Sequence, residues 1–508
     1  MDLDLKSIDD VRTLCRQAVK AQAEYNSYSQ EEIDRIVACC ALAGEENALR
    51  LAELAVAETG FGVVNDKKTK NLVASRLLYQ FVKDIPTRGI ISRDEARKVI
   101  SIASPMGPVA AIIPSTNPTS TAIYKIIISL KAGNAIVISP HPAAKKCTQE
   151  ATRIMREAAE SAGAPKGLVS CMSYPQMAGT QELMHRPEIA IILATGGTEL
   201  VQSANLAGKP AYGVGPGNVP AYIERSADIP QAVENILKSK CFDNGTVCAS
   251  EQAIIVDEEI EPRVRQELLN RGAYFLTPAQ IQALGAALVL PNGIINPQFV
   301  GQPAVFIADK VGITVPAETS VLIAPLEGVG PQYPLSREKL CPILAYYVVP
   351  NWQYACQLCY QLLEFGGLGH TLALHSRNDR LILEFALRKP VYRILVNTPA
   401  SQGAIGATTG LEPALTLGCG TMGGSITADN ITPLHLIHIK RLAYDKDGPP
   451  LPPASVFEQP FESEIITPGE VPRIAVREMA PKEGYLKPLD RSLIEGIVQE
   501  VLKEKGLL

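Results

Sequence analysis

The chain has 508 residues, too many for one hydrophobic core, so two or more domains are expected. Its formal net charge of −5, with no strongly basic stretch, argues against a nucleic-acid partner. The apolar runs AAIIP (110–114) and IAIILA (189–194) are far too short to span a bilayer, so no membrane role is expected.

The first ten residues, MDLDLKSIDD, are acidic and lack an apolar segment, and do not read as a secretory signal. From about 5 to 95, apolar residues recur three and four apart, as in VRTLCRQAVKAQAEYNSY, and predict helices. From about 107 the rhythm changes. VAAIIPS, NAIVISPHP, LVSCMS, IAIILATGG and PAYIE alternate with helical stretches. Such alternation predicts βαβ units in a parallel, doubly wound sheet, with ligands at the carboxyl ends of the strands. A second α/β region is expected from 242 to 420, with strands AIIVD, VLIAP, ILAYYVV, HTLALHS and RILVN. Residues 444–488, rich in Pro and charge, read as an extended linker, and 489–508 as an amphipathic helix.

Eleven cysteines show no repeated spacing, and free thiols fit a reducing, cytoplasmic setting. Cys356 and Cys359 fall on one helical stretch and read as packing thiols rather than a zinc or redox pair. His185, His375, His435 and His438 lack metal-ligand spacing, so no catalytic metal is expected.

The segment FDNGTVCAS (242–250) sets Cys248 after a polar, Gly-containing loop and before a strand. On spacing alone it reads as a packing thiol more readily than as a nucleophile. In isolation Asn117 shapes a turn before Pro118, Glu338 is a solvated helix-end charge, and His370 is a packed residue in a Gly-rich loop. ATGGT (194–198) joins a strand to a helix, which suits a phosphate near a helix N-terminus. It is not G-x-G-x-x-G, and alone it is a weak signal.

Several segments in one order carry more. FDNGTVCASEQ, IIPSTNPTSTAIYKIIISLKAGNAIVISPHP, ILATGGTELV, GVGPGNVPAYIE, SREKLCPILA, GGLGHT, NTPASQGAIG and LTLGCG together resemble the CoA-acylating aldehyde dehydrogenases, over about residues 5 to 443. The likeness is to the aldehyde dehydrogenase half of bifunctional alcohol–acetaldehyde dehydrogenases and to metabolosome propionaldehyde dehydrogenases. No iron-dependent alcohol dehydrogenase domain is read after it.

The resemblance implies an α/β aldehyde dehydrogenase fold. Its parts would be a Rossmann-like NAD-binding domain (1–95 and 107–241), an α/β catalytic domain (242–420) and a β oligomerisation arm (96–106 and 421–443). Subunits would pair as a homodimer or homotetramer. Cys248 would be the nucleophile, and the Asn117 side chain with the N–H of Cys248 would hold the oxyanion. His370 would handle protons. Thr195, Gly196 and Gly197 would lie by the pyrophosphate or nicotinamide of NAD, Glu338 would hold the nicotinamide ribose, and His141 would stand on the adenosine side.

One implied absence bears on the reaction. Gly213 in YGVGPGNVP stands where hydrolytic members carry a glutamate base, and Gly215 and Gly217 would clear space for the pantetheine of coenzyme A. Losing a general base costs about 10²–10⁴-fold in activating water. A CoA thiol, with a pKa near about 8.5 by analogy with Cys, needs much less help. The implied activity is NAD-dependent oxidation of a small aldehyde, acetaldehyde or propionaldehyde, to acyl-CoA. The alternatives are a related reductase acting on an acyl phosphate and a catalytically silent scaffold protein.

In the tail, Leu489, Leu493, Ile494, Ile497, Val498, Val501 and Leu502 share one helical face. The pattern resembles the encapsulation peptides that bind bacterial microcompartment shells. The alternative is a helix docked on its own oligomer.

Overall fold

A computed structural model describes residues 2–458 and divides the chain into two compact units, 1–448 and 449–508. The described part of the second unit holds one short helix, Ser455–Glu458. The stripe 489–508 and most of the linker lie outside the described residues.

The first unit opens with helices whose apolar stripes meet a common core. Leu3–Tyr25 buries Val11, Cys15, Ala18, Ala21 and Tyr25, spaced three and four apart. Ser29 and Glu32 form a reciprocal capping box that starts the helix Gln30–Glu46. The helical region does not run to residue 95. It gives way to β1 (Gly89–Asp94), which pairs antiparallel with β2 (Val99–Pro105). β-branched Ile90, Ile91, Val99 and Ile100 suit a ribbon better than another helical turn.

Five strands then build a parallel sheet: β3 (Val109–Ile112), β4 (Ile136–Ser139), β5 (Val169–Cys171), β6 (Ile191–Thr195) and β7 (Ala211–Val214). Their order is β5-β4-β3-β6-β7, so the direction of winding reverses between β3 and β6. The helix Pro118–Lys131 is buried along its whole length behind this sheet.

Seven more strands form a second parallel sheet: β8 (Val219–Ile223), β9 (Glu251–Asp257), β10 (Ala273–Phe275), β11 (Val321–Pro325), β12 (Ile343–Val349), β13 (Gly369–His375) and β14 (Val391–Val396). The order is β10-β11-β12-β9-β8-β13-β14. Every residue of β8, β9 and β13 is buried, as expected for a sheet covered on both faces. β15 (Ile437–Ala443) returns to pair with β2 and completes a three-stranded antiparallel ribbon with an exposed face.

Two expected boundaries change. PAYIE becomes β8 and hydrogen-bonds to β9 and β13, so the catalytic sheet begins near 219 rather than at 242. A short strand carries no mark of which sheet it will join; its pairing partner lies elsewhere in the chain. The arm spans 89–105 and 437–443, whereas 421–436 holds single 3₁₀ turns, loop and one isolated bridge from Asn430 to Leu417. Glycines and Asp-Asn-Ile-Thr-Pro interrupt that stretch and deny it a ladder.

Candidate active site

The two parallel sheets are joined by the four residues 215–218, and the expected site residues gather around that crossing. Asn117 follows β3 and Thr195–Gly197 follows β6, the two strands flanking the reversal in winding. From the seven-stranded sheet, Glu338, Cys248, Gly217 and His370 come from the amino ends of β12, β9, β8 and β13, four consecutive neighbours. The expectation of ligands at carboxyl ends therefore fits the first sheet and fails for the second.

Cys248 is half-buried in the turn between the 3₁₀ segment Phe242–Gly245 and β9. Burial pushes its thiol up to about 12, with Glu338 adding to the rise and Arg393 opposing it. Cys241 is also raised, to about 11, by burial. Acidity therefore does not separate the two; surroundings do. Cys241 Sγ lies against the carbonyl of Ser320, whereas Cys248 sits two residues past Thr246, whose carbonyl accepts a hydrogen bond from Asn117 Nδ2 at 3.2 Å.

Asn117 occupies the N-cap position of Pro118–Lys131, but its side chain makes no cap bond. The turn-shaping role expected of it in isolation thus falls to the backbone and to Pro118 at the first helical position. Its amide turns instead toward the site. Oδ1 accepts from Lys70 Nζ at 2.6 Å, and Nδ2 is directed to Thr116 Oγ1 and the Thr246 carbonyl.

His370 is fully buried, and burial, with the Arg393 charge, lowers it to about 3, so the ring is neutral at working pH. Nδ1 pairs with Thr371 Oγ1 at 2.9 Å, while Nε2 is buried without a partner. Gly217 passes between this ring and the cysteine loop. A Cβ there would lie 2.3 Å from the Cys248 carbonyl oxygen and 3.1 Å from His370 Cγ. The Gly217 N–H donates to Glu338 Oε1 at 3.0 Å. Burial raises Glu338 to about 7, against the pull of that N–H and of Lys240 and Lys339. It is not the solvated charge that its local sequence suggests.

On the other side, Thr195 Oγ1 is buried without a partner at the end of β6. Gly197 caps the helix Thr198–Asn205 and has nothing within 4 Å of a would-be Cβ, and Gly215 is equally open. An orphaned hydroxyl, open glycines and a helix N-terminus fit a dinucleotide phosphate. A Cβ on Gly196 would meet Leu200 Cδ2 at 2.6 Å.

Gly213 differs from expectation. It lies inside β7 with its Cβ position 2.4 Å from Val201 Cγ1, so it lets the helix Thr198–Asn205 approach the strand. A glutamate there would meet that helix first. His141 is exposed beyond β4, and its Nδ1 accepts from Ala143 N at 3.1 Å, capping a 3₁₀ turn.

Sequence reasoning missed Lys67, Lys70, Asp243 and Arg393. Arg393 is buried and donates to the His370 carbonyl at 3.0 Å and to Asn430 Oδ1 at 2.8 Å, tying β14 to the loop after 417. In Lys67, Lys70 and Asp243 the available signal was charge spaced three apart opposite the cysteine loop. Such charges read as a solvated face until the fold buries them.

Comparisons with known proteins agree with this architecture. The aldehyde dehydrogenase family model matches residues 2–275. A crystallised acetylating aldehyde dehydrogenase from Geobacillus thermoglucosidasius is 51% identical, with a TM-score of 0.87 over 88% of this chain and 99% of that one. A Rhodopseudomonas palustris propionaldehyde dehydrogenase, solved with bound CoA and an acylated cysteine, is 26% identical, with a TM-score of 0.78 over 86% and 97% of the two chains. The bifunctional aldehyde-alcohol dehydrogenase of Escherichia coli K12 is 43% identical over 442 residues, 86% of this chain and 50% of that protein. The chain thus spans about half the length of that relative. Fold, strand-end geometry and these likenesses converge: the chain belongs to the aldehyde dehydrogenase family, and it matches the acetylating relative from Geobacillus thermoglucosidasius over nearly the whole of that protein.

Proposed function

We propose that the protein oxidises a short-chain aldehyde, acetaldehyde or propionaldehyde, with NAD⁺ and passes the acyl group from Cys248 to coenzyme A. The observation that carries this reading is the convergence of Cys248, the Asn117 amide and the unpartnered Nε2 of His370 on the crossing between the sheets. The Cys248 thiol is protonated at rest, so its proton must leave as sulfur attacks the carbonyl carbon. His370 would handle that proton through its unpartnered Nε2, but a ring lowered to about 3 cannot hold it, so the proton would pass on to solvent. The oxyanion of the adduct would be held by the Cys248 N–H and Asn117 Nδ2, donors of a kind worth about 10²–10³-fold each. Bound NAD⁺ supplies the hydride acceptor. Thr195, Gly196 and Gly197 would seat its phosphates, Glu338 its nicotinamide ribose, and His141 stands on the adenosine side. The thioacyl group on Cys248 then meets the CoA thiol, entering over Gly215, and CoA leaves as the thioester with Cys248 restored.

Two finer readings go with it. The ribbon β1-β2-β15 exposes Ile90, Ile439 and Leu442, apolar side chains that a partner surface would cover. It would pair subunits as a dimer or dimer of dimers. The stripe 489–508 would bind a microcompartment shell, on the strength of its sequence pattern.

The test is NADH formation by the purified full chain with each aldehyde, with and without CoA. Turnover should need CoA and release acyl-CoA, with at most a single burst without it. Steady acid formation without CoA would overturn the reading.

A further inference from the structure

The helix Val64–Leu72 sends one face into the site. Lys67, Lys70 and Asn71 lie three and four apart and are all buried, the two lysines 3% and 2% exposed. Each reaches the segment after β3. Lys67 Nζ donates to the Thr116 carbonyl at 2.9 Å, Lys70 Nζ to Asn117 Oδ1 at 2.6 Å, and Asn71 Oδ1 accepts from Thr119 Oγ1 at 2.9 Å. The same lysines reach the cysteine loop. Both donate to Asp243 Oδ2, and Lys70 also donates to Thr246 Oγ1 at 3.0 Å. Asp243 is fully buried at φ 51°, and its Oδ1 accepts from Val63 N at 2.7 Å. Its own N–H donates to Asp66 Oδ2 at 2.7 Å, so two carboxylates balance the two ammonium groups.

A carboxamide is nearly symmetric in shape and can face either way. An ammonium group only donates, and Lys70 has three protons for three acceptors: Asn117 Oδ1, Asp243 Oδ2 and Thr246 Oγ1. A flipped Asn117 would set its NH₂ against that ammonium, donor against donor, and turn its oxygen toward the Thr246 carbonyl. From this geometry we infer that Lys70 is a positioning residue that fixes the Asn117 amide with its N–H₂ toward the Cys248 loop, while Asp243 and Lys67 lock that loop to the same helix. The inference rests on the oxyanion role given to Asn117 above.

The experiment is a double-mutant cycle on Lys70→Met and Asn117→Ala. The readouts are kcat/KM for propionaldehyde with saturating NAD⁺ and CoA, the iodoacetamide alkylation rate of Cys248, and Tm. Asn117→Ala should lower kcat/KM by about 10²–10³-fold, the usual loss for one oxyanion donor. Lys70→Met should lower it by about 10²-fold or more, with alkylation changed by less than about threefold, because alkylation develops no oxyanion. The double variant should fall no lower than Asn117→Ala alone, since Lys70 acts through that amide. Multiplying losses, or a Lys70→Met enzyme within about threefold of wild type, would overturn the inference. If Lys70→Met does not fold, the charge-balanced Lys70→Met/Asp243→Asn variant takes its place in the cycle. Should wild type show no CoA-dependent oxidation, the proposed function fails by itself. A neutron crystal structure of the folded Lys70 variant, which distinguishes the amide nitrogen from the oxygen, then decides: an Asn117 amide held in its wild-type orientation would overturn the positioning role.

Discussion

In the five-stranded sheet the candidate site residues lie at the carboxyl ends of their strands, whereas in the seven-stranded sheet they lie at the amino ends. After β3 and β6 the chain turns into helices, with Asn117 and Gly197 at the N-cap positions, and a helix N-terminus favours an anion or a polarised oxygen. Before β12, β9, β8 and β13 the chain enters a largely buried ladder whose strands pair in register with their neighbours. One sheet thus offers open, glycine-lined ends suited to a cofactor. The other offers rigid, side-chain-bearing ends suited to bond making. Four residues link them, which leaves little freedom to separate the two halves of the site.

The contrast is most directly broken at Cys248. Cys248→Ala should abolish CoA-dependent NADH formation and leave NAD⁺ binding, followed by fluorescence titration, close to normal. Cys241→Ala, seven residues earlier and turned to Ser320, should stay within about threefold. Substantial turnover by Cys248→Ala would mean that the amino-end cluster is not the reacting one.

The crossing itself tests how closely the halves are fitted. Gly217→Ala would force a methyl to within 2.3 Å of the Cys248 carbonyl, and displacing that loop by an ångström should lower kcat by about 10²-fold. Gly215→Ala, two residues away in open space, should leave kcat within about twofold and act, if at all, on KM for CoA. Equal effects of the two would show that the crossing is not the narrow point.

At Gly213 the expected effect is on stability. Gly213→Glu must displace Val201, and overpacking of this kind costs about 1–3 kcal/mol. Melting should fall by several degrees, with no acid formed in the absence of CoA. Acid formation by this variant would mean that a side chain at 213 reaches the cysteine after all.

A smaller effect follows pH. Burial raises Glu338 from the ordinary carboxylate value of 4.5 to about 7, so the folded protein holds this proton more tightly than the unfolded chain. Its contribution to stability is therefore greatest below pH 4.5 and declines as pH rises through about 7. Glu338→Gln should remove that slope. Its melting temperature, relative to wild type, should rise between pH 5 and 8 and then level. Glu251, raised to about 7 by burial in β9, should behave alike, and Glu251→Gln separates the two. A difference that stays flat with pH would place Glu338 in water.

Least effect on catalysis is expected from deleting 489–508, which should keep kcat within about twofold while abolishing shell association of a fluorescent fusion. Loss of the oligomer by light scattering would instead make this stripe a structural element.

The strand–helix alternation that demands parallel sheets was legible along the chain, because periodicity is a property of neighbours; Cys248, Asn117, Glu338 and His370 read as ordinary residues by themselves and were singled out only by the likeness of whole segments to a family. Tertiary structure alone decided that PAYIE would join the second sheet, that Gly213 would serve helix packing, and that Glu338 would be buried. It alone brought Lys67 and Lys70 to Asp243, more than 170 residues further along, in one buried ion cluster behind the Asn117 amide. Such a cluster leaves no local trace. A lysine three residues from another reads as solvated unless the carboxylate that neutralises it, and the burial that makes the pair matter, are brought in from elsewhere in the fold.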